Sequence, residues 1–387
     1  MKHYNELIDI DIRGKNILLR EDLNVPTSNN EIINDERIRA AIPTIEYILS
    51  QNANLSIISH FGRPKDGVFE KELSLKIVAE RISKIIKKEV YFEEIPISEK
   101  SPDYKNKITL HENTRFLKGE TSGDESLAKK MATNCDVFVM DAFGTCHRKH
   151  CSTFTVSKYS PITCGGLLLI EEIKNLDKIF NNPKRPILAI IGGAKISTKL
   201  SVLTELLNKV NAIIIGGGIA NTFLLSSNFS VGNSLSEKSM VENAREIIKL
   251  AEKKNVQLPL PEDVVCENQN QINVKKVNDV NENDIIKDIG PKTSVKYKKL
   301  IEEAGTILWN GPVGMFEKSS FESGTRDIAV SVCKSKGLTV AGGGDTISAV
   351  QKFSDINEID YVSTGGGAFL KYLEGEKLPG IEIIKKL

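Results

Sequence analysis

Short apolar runs alternate along this chain with longer, charge-laced stretches. Residues 16–20, 55–60, 108–111 and 136–140 read as strands in the first half. After Pro186 the pattern resumes at 187–191, 211–215, 306–308, 338–340 and 361–363. Many of these runs are rich in Ile, Val and Leu throughout rather than alternating. That is the mark of strands covered on both faces, as in a parallel sheet. Between them, residues 74–88 set Leu75, Val78, Ala79, Ile82 and Ile85 on one helical stripe. Residues 200–209 and 241–254 have the same spacing. Strand–helix alternation of this kind predicts βαβ units and an α/β fold.

One segment interrupts the rhythm. GGLLLIEEIKNLDKIF, from Gly165, predicts a helix, and NNPKRP, ending at Pro186, predicts its stop. A connector here divides the 387 residues into two halves, each long enough for one doubly wound sheet. The expected division is 1–164, a connecting helix or hinge at 165–185, and a second domain at 186–369.

Composition removes several classes of function. Lys and Arg number 52 against 51 Asp and Glu, a formal charge of +1. So even a balance supplies no field for nucleic acid or an anionic membrane, and neither is expected as a partner. No apolar run reaches the roughly 20 residues of a spanning helix, and MKHYNELIDID carries no export signal. The six cysteines form no CxxC pair, which fits a reducing cytoplasm better than a disulfide framework. Cys146, beside His147, reads either as a catalytic thiol or as a small packing residue.

Candidate chemistry gathers where the runs end. In the second half, glycine clusters at 192–193, 216–218, 342–344 and 365–367 follow strands. Glycine between a strand and a helix lets backbone approach a ligand and presents N–H groups to phosphate. Neither a Walker A sequence nor a complete GxGxxG is present, which disfavours P-loop NTPases and ordinary NAD enzymes. GGAKISTK at 192–199 places Lys195 and Lys199 four apart, one face of a helix, suited to a polyphosphate or simply to solvent. Asp345, directly after three glycines, reads as a Mg²⁺ contact or as an N-cap. WNGPVGMFE at 309–317 forms a rigid loop in which Glu317 is placed to accept from ribose hydroxyls.

In the first half, REDLNVP, RIRA, HFGRP, ENTRF and FGTCHRKH each leave a strand or open a helix. If the sheet is parallel, Arg37, Arg63, Arg115 and Arg148, with His60 and His147, converge on one edge. Guanidinium forks bind phosphate and carboxylate bidentately, so an anionic substrate is expected on this half and a Mg-nucleotide on the other. No Ser/His/Asp set for hydrolysis stands out. Phosphoryl transfer needs positioning and charge neutralisation instead, and two sites on two domains require a hinge to bring them together.

RxDxNVP, RIRA, HxGRP, ENxRF, DAFGTxHR, GGAKxxxK, GGGxANTF, DIGPKT, WNGPxGxFE, GGGDT and STGGGA occur in this order. Together they resemble the phosphoglycerate kinase family, from about Arg20 to the C-terminus. The resemblance implies two Rossmann-like doubly wound parallel-sheet domains, with the tail at 370–387 packing back on the first. It implies a phosphotransferase with a carboxyl acceptor, acting in glycolysis and gluconeogenesis. 1,3-Bisphosphoglycerate and MgADP would give 3-phosphoglycerate and MgATP by in-line transfer after hinge closure. Asp22, Asn24, Arg37, His60, Phe61, Gly62, Arg63, Arg115 and Arg148 are similar to the substrate site of that family. Lys199, Gly217, Gly218, Asn310, Glu317, Gly343, Gly344, Asp345 and Thr346 are similar to its nucleotide site, with Asp345 on the metal. Arg37, Lys195 and Gly344 resemble the catalytic groups. A cytoplasmic monomer is implied. Such a reaction needs no general base, since the accepting carboxylate is already ionised at neutral pH.

The sequence departs from the family pattern at Glu21, where an apolar residue is common, and at Glu262 in LPLPED; the tail KYLEGEKLPG is also atypical. Strand alternation points Glu21 away from Asp22. Three rivals stay in view. Another acyl-phosphate kinase would lose the ordered basic set, a dehydrogenase would show GxGxxG, and an inactive scaffold protein would have lost Arg37, Lys195 or Asp345.

Overall fold

A computed structural model describes residues 3–386, apart from 98, 103, 105, 106, 182 and 364. The expected breaker around Pro186 and the STGGGA motif therefore lie partly outside the described residues. The chain forms two compact units. One takes in the chain up to Lys174 together with the stretch from Lys377, and the other is Asn175–Glu376.

In the first unit β1 (Asn16–Arg20) leads through a small ribbon, β2 (Thr27–Ser28) and β3 (Glu31–Ile32), into α1 (Glu36–Ser50). There follow β4 (Asn54–Ile58), α2 (Lys76–Ile86), β5 (Tyr91–Glu93), β6 (Ile108–His111), α3 (Glu125–Met131), β7 (Val137–Met140) and β8 (Ile162–Gly165). Six strands form one sheet in the order β5-β6-β4-β1-β7-β8, all parallel. The near-continuous apolar runs are explained by this arrangement. Ile17, Leu19, Leu55, Ile57, Val137 and Val139 are buried against Ile38 and Ile45 of α1 and Val78 and Ile82 of α2. Each such side chain contributes about 1.5–3 kcal/mol by burial. The chain leaves β1 on one side through β4 and comes back on the other with β7. Strand order therefore reverses beside β1, and the crevice beyond strand ends at such a point is where α/β sheets take ligands.

Helix α4 (Leu167–Asn181) starts in the first unit and ends in the second. The second unit opens with β9 (Ile187–Ile191), α5 (Leu200–Leu206), β10 (Ala212–Ile215), α6 (Gly217–Ser226) and α7 (Val241–Lys253). It continues with β11 (Asp263–Asn268), β12 (Gln271–Lys276), β13 (Ile285–Ile289), α8 (Pro291–Glu303) and β14 (Thr306–Asn310). It closes with α9 (Ser323–Cys333), β15 (Leu338–Gly342), α10 (Gly344–Phe353), β16 (Tyr361–Ser363) and α11 (Gly367–Leu373). The parallel sheet runs β10-β9-β14-β15-β16, so its order reverses between β9 and β14. A separate antiparallel sheet, β12-β11-β13, was not foreseen from the sequence. Its middle strand buries Val264 and Cys266, whereas β12 is almost wholly exposed and reads as polar surface.

The last stretch belongs with the first unit. It carries α12 (Pro379–Glu382). There the Gly380 amide donates to the Cys146 carbonyl at 2.9 Å, and the Asn5 amide donates to the Ile384 carbonyl at 2.8 Å.

Candidate active site

At the carboxyl ends of β1, β4, β6 and β7, side chains from four separate motifs meet. Asp22, just past β1, accepts two bonds from one Arg37 nitrogen, at 3.1 and 3.2 Å, and the same nitrogen reaches the Asn24 carbonyl at 3.1 Å. Arg37 stands in the first turn of α1, pinned by three acceptors and still half-exposed. The Asn24 amide oxygen takes the Gly62 N–H at 2.8 Å, which ties the β1 loop to the β4 loop. Asn113 ties β4 to β6. Its Oδ1 accepts from the amides of Phe61 and Arg115, and its Nδ2 donates to the Phe61 carbonyl at 2.7 Å. Arg115 in turn donates to the Gly62 carbonyl at 2.5 Å.

His60 reports the field at this place. Burial first, then the positive charges of Arg20, Arg115, Arg148 and Arg37, push it well below the ordinary histidine value. Its ring is therefore neutral near pH 7. Arg20 approaches its Nδ1 at 3.3 Å, and a guanidinium can only donate. Nδ1 therefore accepts, and the ring proton sits on Nε2. Arg63 is exposed, yet its charge is felt by both Arg115 and Arg148. Arg115, mainly through burial and then through Arg148 and Arg20, falls to about 10. Cations crowded so closely that they lower one another form a receptor for an anion of more than one charge.

Sequence reasoning passed over the layer beneath. Arg20 is 1% exposed. Its Nε donates to the Ser152 hydroxyl at 3.1 Å, and that hydroxyl donates to the buried Glu120 carboxylate at 2.5 Å. The only signal was a charged residue closing an otherwise apolar strand. His150 belongs to the same field, lowered to about 4 by burial and by Arg148, Arg115 and Arg20. Cys146 is fully buried, and burial pushes its thiol up, so the packing reading holds and the nucleophile reading fails. Glu21 lies fully buried, where burial and then the Asp141 charge hold its carboxyl well above the ordinary carboxylate range.

In the second unit a cavity of about 270 Å³ opens beyond the reversal between β9 and β14. Gly193, Gly217, Gly218, Glu317 and Asp345 line it, with an apolar wall that includes Leu235, Val264, Ile286 and Val313. The glycines differ in their surroundings. A Cβ on Gly192 would strike the Pro312 carbonyl, and one on Gly218 the Ala194 carbonyl, so these pack loop on loop. Gly344 opens α10, and a Cβ there would meet only open space.

The two lysines do not share a helical face. Residues Ile196–Thr198 form a 3-10 turn, which leaves Lys195 exposed and folds Lys199 inward. The Lys199 ammonium donates to the Gly192 carbonyl and the Asn310 side-chain oxygen, each at 2.6 Å, and to the Asn310 carbonyl at 3.1 Å. Burial, opposed by Asp345, lowers it to about 8. Asn310 also donates to the Gly342 carbonyl at 2.7 Å, and the Thr346 hydroxyl accepts from the Gly311 amide at 2.7 Å. All three hold the loops that shape the cavity. Glu262 pairs with Lys296 at 2.7 Å, and its neighbour Pro261, not Glu262, lines the cavity. Among the described residues no group of three or more His, Cys, Asp or Glu is set to hold a metal ion. One carboxylate, Asp345, at a helix start beside phosphate-seeking amides, fits Mg²⁺ delivered with a nucleotide, because that ion keeps most of its water and phosphate ligands.

The phosphoglycerate kinase family model matches residues 7–376. A phosphoglycerate kinase of Francisella philomiragia is 47% identical over 386 residues, covering 98% of both chains. One of Legionella pneumophila is 47% identical over 387 residues, covering 98% of this chain and 97% of the other. The solved phosphoglycerate kinase of Coxiella burnetii aligns with a TM-score of 0.92 at 44% identity, over 98% of each chain. That of Pyrococcus horikoshii aligns at 0.83 and 27% identity, again over 98% of each.

Proposed function

Because the chain belongs to the phosphoglycerate kinase family, and so moves a phosphoryl group reversibly between 1,3-bisphosphoglycerate and ADP, we propose how its residues divide that work. The carrying observation is the meeting of Arg20, Arg37, Arg115 and Arg148 around a neutral His60. We assign 3-phosphoglycerate to this cluster, with Asp22, Asn24, Arg63 and the Phe61–Gly62 backbone completing it. The nucleotide is assigned to the cavity of the second unit. Gly217, Gly218, Gly343 and Gly344 approach its phosphates, Glu317 its ribose, and Asp345 the Mg²⁺ that neutralises phosphate charge. Lys199, Asn310 and Thr346 act by holding these loops.

Direct transfer puts the acceptor carboxylate and the terminal phosphate in contact, so we assign the hinge to the α4 region, at 165–185. Arg37 and Lys195 neutralise the phosphoryl group in flight. Lys195 is exposed, and Arg37, though held by Asp22, is still half-exposed, so both stay open to a further anion. All six cysteines are free, which supports a cytoplasmic setting, and among the described residues no helix is long and apolar enough to cross a membrane. A monomer is proposed on the family resemblance alone.

Coupled turnover of 3-phosphoglycerate with MgATP tests this assignment. Lys195→Ala should lower kcat by orders of magnitude, since lost charge stabilisation of a transition state is worth roughly 3–4 kcal/mol. Substrate binding should persist in this variant. Near-normal turnover would remove Lys195 from the mechanism.

A further inference from the structure

Two carboxyl groups that the reaction does not use face one another in the first unit. Strands β1 and β7 pair in parallel with Arg20 opposite Met140. The next residues along, Glu21 and Asp141, therefore stand side by side with their side chains on one face. The backbone holds them there. The Glu21 amide donates to the Ile58 carbonyl at 3.1 Å, and the Asp141 amide to the Arg20 carbonyl at 3.0 Å. Both residues are 0% exposed. Among the described residues no donor reaches either carboxyl oxygen of Glu21 or the Oδ2 of Asp141. The Asp141 Oδ1 is occupied, accepting the Leu169 amide at 2.8 Å in the first turn of α4. A Cβ on Gly166 would run into this carboxyl group, so the chain passes it only as glycine.

Two bare carboxylates cannot share such a place. Like charges in contact away from water repel strongly, and three of the four carboxyl oxygens lack a donor that would stabilise them. One proton between them removes both problems, as one carboxyl becomes donor and the other acceptor. The surroundings provide no substitute. On β1 the pair meets Arg20, whose guanidinium is turned to Ser152, His60 and the Glu21 carbonyl, and Asp22, a further negative charge. From α4 the Leu169 amide bonds Asp141, and the Thr44 hydroxyl of α1 and the Leu168 amide stand near enough to favour its charged form. The thiols of Cys146 and Cys164 lie near enough to feel the Asp141 charge, and Cys146 also feels that of Glu172.

We propose that Glu21 and Asp141 share one proton in a buried carboxyl–carboxylate bridge, which fastens the end of β1, and with it Asp22, to the first turn of α4. The pair acts as a proton-dependent positioning device, and its hold weakens when that proton leaves for solvent at higher pH. Burial raises both groups, Asp141 to about 7 and Glu21, which the Asp141 charge raises further, well above its ordinary value. The sign follows. Unfolded carboxyls lose their protons near pH 4, and the folded pair keeps one. Between those limits the native state binds more protons, so this pair makes stability fall as pH rises. The claim about Asp22 rests on its assignment to the 3-phosphoglycerate site; the shared proton does not.

Glu21→Gln tests both parts, because an amide donates to Asp141 without titrating. The unliganded full-length protein and the variant would be unfolded in urea from about pH 5 to 8. Wild type should lose stability relative to E21Q across that range, and the Leu169 amide should lose exchange protection with rising pH in wild type alone. In turnover assays the KM for 3-phosphoglycerate should rise several-fold with pH in wild type beyond any rise in E21Q, with kcat unaffected. Parallel stability profiles would overturn the shared proton, and superimposed KM profiles would overturn the positioning role. Should E21Q fail to fold, carboxyl-carbon NMR on wild type decides. Both groups ionised at about pH 6 refutes the bridge, and one remaining protonated supports it. These stability, exchange and NMR readouts use no substrate, so they stand apart from whether the assigned reaction occurs.

Discussion

A residue's chemistry in this protein depends on what its head group is given to hold. Lys199 illustrates this. Four-residue spacing with Lys195 suggested a pair of phosphate-facing cations, but the intervening 3-10 turn breaks that register. Its ammonium instead clasps the ends of β9 and β14. Lys199→Met should leave those buried acceptors without a donor and cost about 1–3 kcal/mol in denaturant unfolding. A higher KM for MgATP should accompany the loss, because the loops that shape the cavity would loosen. Arg20 is the counterpart on the other unit. Arg20→Met removes the cation that offsets buried Glu120 through Ser152 and the donor that fixes the His60 proton. Breaking one side of a buried charge arrangement typically costs about 3–5 kcal/mol. Calorimetry would read that loss, and a weaker affinity for 3-phosphoglycerate should follow from the unfixed imidazole.

Elements were legible where one physical signal dominated. Strands buried on both faces announce themselves as apolar runs, and β1, β6, β9 and β16 have the bounds that the runs set. Basic residues just past β1, β4, β6 and β7 were visible as motifs, and their meeting followed once the sheet was parallel. The antiparallel sheet was not legible because β12 buries almost nothing and so leaves no period in the sequence. Short β5, with three residues, is hidden for a related reason. Glycine clusters were found, but their purpose was half seen. Proximity to a ligand was expected of all of them, whereas Gly192 makes room for a neighbouring loop. Gly192→Ala should therefore destabilise the second unit even without nucleotide. A Cβ meeting the rigid Pro312 carbonyl forces backbone to move, and overpacking of this kind costs about 1–3 kcal/mol. A change confined to nucleotide KM, with unfolding untouched, would show the loop packing to be dispensable.

Across the whole molecule, buried groups pull the pH dependence of stability in opposite directions. His60 and His150 are held neutral, the latter down to about 4. An unfolded chain protonates its histidines near pH 6.5, so stability from these two is present above that value and is lost as pH falls through the window toward about 4. Glu21 and Asp141, with Asp288 raised to about 7 by burial, act the other way over much of the same range. The Glu21–Asp141 pair keeps one proton, and Asp288 another, that the unfolded chain gives up near pH 4, so their contribution declines as pH rises toward 7. The two sets oppose one another between about pH 4.5 and 6.5, and wild-type stability should change little there. Removing either set should expose the other. His60→Gln should give a stability that falls with rising pH, and Glu21→Gln one that rises, in urea titrations of the same series. Identical slopes in the two variants would mean that neither buried set governs the acid side of this protein's stability.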